Sequence, residues 1–205
     1  MPTERTVLRG RVRDLTKQYQ AGGRDAFEAH RDLISLLLGI TILAPGGGVC
    51  LFSLPGERDR KMVLGGWRRA TDPLPLTDKR YLRLTMSLYR EHVSAGWRLK
   101  MEKSAMQYQI DADGQQWMFR YDYLRYPPEP HPAAHIQIRG ALTESVLPPG
   151  MPLERVHFPT MRVSLEAIIR LLAEDFGVPC QTPSDVWRPV LAESEAAFLA
   201  VAHQP

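Results

Sequence analysis

The residues best placed to do chemistry are histidines, arginines and one aspartate in the second half of the chain. In Trp117-Met-Phe-Arg-Tyr-Asp-Tyr123 the residues alternate, so a β-strand would put Arg120 and Asp122 on the face opposite Trp117, Phe119, Tyr121 and Tyr123. In the next such run Ile136 and Ile138 point inward, leaving His135, Gln137 and Arg139 on the polar side. In a third, Val156 and Phe158 point inward and leave Arg155 and His157. If the three strands are neighbours, these groups converge on one exposed sheet face, with His131 approaching from a proline-rich loop. That set suits phosphodiester cleavage without metal. One histidine takes a proton from a 2′-hydroxyl and a second protonates the leaving oxygen, while arginine holds the charge that builds on phosphorus. The expected catalytic residues are His135, His157 and Arg139. Arg120, Tyr123, His131 and Arg155 are the expected substrate contacts.

Other readings of the same residues compete. Polar strand faces are normally just solvated. His131-Pro-Ala-Ala-His135 also has the three-residue gap of some zinc pairs, with His157 as a third ligand, but Pro130 and Pro132 break the helix that would align the imidazoles, and no cysteine is near in sequence. No metal and no cofactor is therefore expected. No P-loop, dinucleotide fingerprint or nucleophile elbow occurs, and Gly46-Gly47-Gly48 precedes a strand, which makes it a turn.

The elements that must carry these residues follow from periodicity. Leu8, Val12, Leu15 and Tyr19 form one helical stripe over residues 4–21, and a second helix runs from about Asp25 through the apolar stretch Leu33–Ala44 to Pro45. Val49–Leu54 reads as a short strand. Residues 57–78, with Gly65-Gly66 and Asp72-Pro73, read as a long basic loop, where an internal boundary (55–78) could divide an otherwise single α+β domain spanning 1–205. The pattern then switches to period 2 in Leu82–Leu88, Trp97–Met101, Met106–Ile110 and Trp117–Tyr123, with Asp111-Ala-Asp-Gly114 as a hairpin turn. Residues 82–158 are thus predicted to form an antiparallel meander, burying Leu84, Leu99, Tyr108, Phe119 and Ile138. Two C-terminal helices follow, one capped by Ser164 and stopped by Gly177, the other beginning near Ser184.

Composition bounds the class. A chain of 205 residues with 44% hydrophobic and 24% charged residues is ordinary globular protein. Cys50 and Cys180 are far apart in apolar settings, which favours free thiols in a reducing compartment. The N-terminal Met-Pro-Thr-Glu-Arg leads into a charged amphipathic segment unlike a signal peptide, and Leu33–Ala44 is too short to span a membrane. A cytoplasmic protein without membrane contact is expected. Net charge is +3, but residues 163–205 hold two arginines against six acids, so the body of the chain is basic. A basic body could meet RNA or another polyanion, or the charge could simply keep exposed faces soluble.

The run Phe119-Arg-Tyr-Asp-Tyr, the His-bearing strand after it, and His157-Phe-Pro-Thr leading into Ser164-Leu-Glu-Ala-Ile-Ile-Arg-Leu-Leu resemble the layout of TumE-like toxins of bacterial toxin–antitoxin pairs, over about residues 117–176. The order of helices then antiparallel sheet is also similar to the RelE/barnase-type ribonuclease architecture. The resemblance implies a metal-independent, toxin-like ribonuclease or phosphodiesterase. The alternative is a non-catalytic interaction protein or regulatory subunit that docks a protein partner.

Overall fold

The computed structural model describes residues 3–54, 61–94, 96–139 and 158–202. Helix α1 (Glu4–Gln20) starts at Thr3, whose hydroxyl accepts from the Thr6 amide at 3.3 Å. Its predicted stripe packs inward, with Val12 and Leu15 buried and Leu8 and Tyr19 half-buried against the core. Helix α2 (Ala26–Ile40) buries Phe27, Leu33, Ile34, Leu37 and Leu38. The tight joint between them turns at Gly22, with φ +64°.

Among the described residues eight antiparallel strands follow: β1 (Cys50–Ser53), β2 (Lys61–Gly65), β3 (Leu74–Pro75), β4 (Tyr81–Val93), β5 (Gly96–Gln109), β6 (Trp117–Leu124), β7 (Ala134–Ile138) and β8 (Phe158–Pro159). They form one sheet in the order β1-β2-β4-β5-β6-β7-β8, with β3 also pairing β4. Helix α3 (Leu165–Arg170) continues into a π-helical turn over Leu171–Asp175, and α4 (Ser184–Ala202) ends the fold. Ser164 caps α3 as expected, accepting from the Ala167 amide at 3.0 Å, and Gly177 stops the turn with φ +67°. The class is therefore α+β, with N-terminal helices, a central antiparallel sheet and C-terminal helices. No helix among the described residues is long and apolar enough to cross a membrane.

The helices cover one face of the sheet. Leu82, Leu84, Met86 and Leu88 of β4 meet Met106 and Tyr108 of β5 and Phe119 and Tyr121 of β6 in a single buried core with α1 to α4. Phe176, delivered by the π-helical turn, sets its ring 5.2 Å from Tyr108 and 5.7 Å from Phe119. The Tyr108 hydroxyl reaches the edge of this core, accepting from Arg80 at 2.8 Å and donating to Asp78 at 3.1 Å, so the buried phenol stays satisfied.

Four expectations change. Residues 61–65 of the supposed loop are strand β2, paired with β1 on one side and β4 on the other. Its Gly65 is a close approach, since a Cβ there would lie 2.1 Å from the Ala70 carbonyl oxygen. The segments Trp97–Met101 and Met106–Gln109 belong to one strand, β5, not two, and Ile110 lies just past its end. A bulge opposite Ser87 and Leu88 leaves Glu102 unmatched and changes which parity faces inward. Ile110 is 47% exposed, past the end of β5 at the mouth of the 111–116 turn, where its amide donates to the Gln116 carbonyl at 2.8 Å. Ile138, expected in the core, is 40% exposed although it pairs with buried Phe119.

Candidate functional site

The face away from the helices is polar, and strand register aligns its side chains in rows. Arg83 pairs with Gln107, Gln107 with Arg120, and Arg120 with Gln137, so four long polar side chains cross β4 to β7 in line. The next row runs from Thr85 through Ala105 to Asp122 and His135. Opposed side chains on neighbouring strands are within reach of each other, so register alone brings Asp122 to His135.

The Asp122 carboxylate is the hub. Arg120 donates to its Oδ1 through Nε at 3.0 Å and Nη2 at 2.8 Å, and His135 Nε2 stands 3.8 Å from Oδ2. His135 and Asp122 are 13% and 20% exposed, while Arg120 remains 46% exposed, so the acid and the imidazole are sheltered and the guanidinium is open to solvent. At this distance the carboxylate makes no direct hydrogen bond to the imidazole but is close enough to act on it as a charge.

Beside this pair lies a polar depression of about 380 Å³, bordered by Gln107, Gln115, Trp117, Arg120, Gln137 and Arg139. The 111–116 turn forms one wall. Asp111 holds the turn by accepting from the Gln115 and Gln116 amides at 2.9 and 2.7 Å. Gln109 ties it to the strand by donating to the Asp111 carbonyl at 2.7 Å. Arg139 spans to the same wall, donating from Nη1 to the Gln115 carbonyl, and its amide extends the ladder to the Met118 carbonyl at 2.9 Å. Two guanidiniums and several amide side chains around one depression can bind an anion.

Of the expected site residues, Arg120, His135 and Arg139 share this face with Asp122. His131 is exposed in the loop before β7, where its amide donates to the Pro128 carbonyl at 2.8 Å. His157 and Arg155 lie outside the described residues. Tyr123 is a correction: by the same alternation that exposes Asp122 it points to the helical side, where it packs on the core and its ring lies 4.7 Å from the Arg162 guanidinium. It cannot share a site with His135. Trp117 moves the other way. The irregularity after Tyr108 leaves Met118 unmatched and pairs Trp117 with Gln109 rather than with Ile110, so it lines the polar depression. Among the described residues no group of three or more His, Cys, Asp or Glu side chains is arranged to hold a metal ion. Cys50 and Cys180 are free thiols, and burial pushes Cys180 above the usual thiol range.

Sequence reasoning passed over Gln107 and Arg83 as site residues although their alternation placed them on the wet face. It also passed over two groups on the helical side, His30 and Arg162. His30 occupies the apolar stripe of α2 between Phe27 and Ile34, and Arg162 stands next to Val163 just before the Ser164 cap. A charged or titratable residue inside an apolar stripe was the available signal. Comparison with protein-family models, with curated proteins and with solved structures gives no match to this chain.

Proposed function

We propose that the chain is a metal-independent ribonuclease or related phosphodiesterase, toxin-like and cytoplasmic, acting through the polar face of its sheet. The observation that carries the reading is the alignment of Asp122 against His135, with Arg120 and Arg139 beside them around one depression. In this reading His135, beside the Asp122 charge, takes the proton of a ribose 2′-hydroxyl. The 2′-oxygen attacks phosphorus, the bond to the 5′-oxygen breaks, and a 2′,3′-cyclic phosphate forms. His157 gives the departing oxygen its proton, and Arg139 and Arg120 hold the phosphate while charge accumulates on it. Gln107 and Gln137 add polar groups to the lining of the depression.

The test is cleavage of single-stranded RNA by the full chain in the presence of a chelator. His135→Ala and His157→Ala should each lower the rate about 10²–10⁴-fold, as expected for loss of a general acid or base. Arg139→Ala should fall into the same range with the fold retained, because its side chain is exposed and packs little. Absent wild-type cleavage, or variants that cleave as well as wild type, would leave the chain as a non-catalytic partner-binding or regulatory protein.

A further inference from the structure

A second cavity lies on the opposite side of the sheet, between β4–β5 and the four helices. It measures about 400 Å³, within the range of small-molecule sites, and most of its wall is apolar, including Leu33, Ile34, Leu88 and Phe198. One end of it is cationic. Arg162, between β8 and α3, is fixed by flanking backbone bonds: the Thr160 amide donates to the Ala134 carbonyl at 3.0 Å and the Val163 amide to the Tyr121 hydroxyl at 2.9 Å. Its guanidinium lies 4.7 and 5.0 Å from the ring centroids of Tyr123 and Phe198.

Arg162 has no counter-ion among the described residues. Among the described residues no carboxylate comes within 4.0 Å of it and its side chain donates no hydrogen bond, whereas Arg9, Arg13 and Arg170 are paired with acids of α4. Two acids of α4 are already engaged, Glu195 by Arg170 and by the Ser164 hydroxyl, and Glu193 by Arg9 and Arg13. Glu166 is the one acid on the cavity wall, and burial pushes its carboxyl upward, which weakens its claim to negative charge. Arg98 and Arg125 add positive charge to the same wall. A half-buried guanidinium without a partner is costly, and an anion entering the cavity would relieve that cost. His30 gives an independent indication. It is half-buried and lines the cavity, and its two ring nitrogens are shielded from solvent with no hydrogen-bond partner among the described residues. Buried polar atoms in a folded protein are ordinarily satisfied by protein, water or ligand.

We propose that this cavity binds a small amphipathic anion, an apolar chain or ring ending in a carboxylate or phosphate that pairs with Arg162. The apolar wall takes the body of the ligand. The planar fork of the guanidinium, in contact with two aromatic rings, meets two oxygens of the head group. Because the cavity and the Asp122–His135 pair are on opposite faces of the sheet, this site stands independently of the proposed catalytic one.

Calorimetric titration of the full chain with decanoate, decyl phosphate, decanol and acetate tests it. One or both long-chain anions should bind in the micromolar range, at least about tenfold more tightly than decanol, while acetate shows no binding. The stronger of the two anions identifies the head group. Arg162→Met should bring the anion down to the affinity of decanol, and Arg162→Lys should keep part of the preference. Leu33→Trp, which fills the cavity, should abolish binding of both the anions and decanol. No binding of any long-chain probe, equal binding of decanol and the anions to wild type, or an anion preference that survives Arg162→Met would each overturn the proposal. The wild-type comparison decides even if a variant fails to fold.

Discussion

Asp122 and His135 stand directly opposite each other on β6 and β7, with Oδ2 3.8 Å from Nε2, and the same carboxylate takes two hydrogen bonds from Arg120. The relationship is set by strand register, so it does not depend on a loop. If His135 is a general base, Asp122→Asn should lower RNA cleavage at the lower end of about 10²–10⁴-fold, since the imidazole stays but loses the neighbouring charge. Stability should change little, because Asp122 lies on the polar face. Comparing initial rates with urea unfolding midpoints separates the two effects. An Asn variant as active as wild type would remove Asp122 from any catalytic role.

The alternation of Leu82 to Leu88 was legible because β4 keeps one parity through that run, and so was the pairing of Arg120 and Asp122 on one face. Bulges were not legible. A bulge adds one residue and reverses the inward parity, so Trp97–Met101 and Met106–Tyr108 looked like separate strands and Trp117 looked like a core residue. Strand β2 was hidden by Gly65-Gly66, which marks a close backbone approach where the sequence suggested a loop. The environment of Arg162 is made by Tyr123 and Phe198, both some forty residues away in sequence, so no local pattern could announce it.

Burial pulls the His30 imidazole from its ordinary 6.5 down to about 4. In the unfolded chain it takes a proton below about pH 6.5, and in the folded protein only below about pH 4. Between these values the unfolded state binds more protons, so the stability His30 contributes is full above pH 6.5 and is lost as pH falls towards 4. The shift corresponds to roughly 3 kcal/mol. Urea unfolding at pH 7 and pH 4.5 should show wild type losing more stability than His30→Phe over that interval. Equal losses in the two proteins would refute the assignment.

Glu166 behaves in the opposite sense. Desolvation raises its carboxyl above the usual range, against the bond donated by the Ser194 hydroxyl. A group whose pKa is raised on folding contributes its stability below the unfolded value and loses it as pH rises through the folded one. Glu166→Gln keeps an acceptor for Ser194 and never ionises. It should therefore melt above wild type at pH 8, with the difference disappearing near pH 4. A variant that melts lower than wild type at pH 8 would mean that the charged carboxylate is the stabilising form.

Gly22 is where the end of α1 presses against the β4–β5 hairpin. Its φ is +64°, and a Cβ built on it would lie 2.0 Å from the Trp97 carbonyl oxygen. Neither atom can yield easily. The Trp97 peptide is part of β5 and pairs with His92 of β4, while the Gly22 carbonyl accepts from Arg90 Nε at 3.1 Å. Arg90 in turn sits 4.8 Å from the Trp97 ring centroid, so the helix end, the arginine and the hairpin are joined at one point. Gly22→Ala brings left-handed strain and a clash with main chain, and should cost about 2 kcal/mol or more. Gly23 is the control. It has no positive φ and a Cβ there meets nothing within 4 Å, so Gly23→Ala should be neutral or stabilise by up to about 1 kcal/mol through the unfolded chain. Urea unfolding of both variants at pH 7 reads the difference, and equal midpoints for the two would show that α1 does not dock on the hairpin through Gly22.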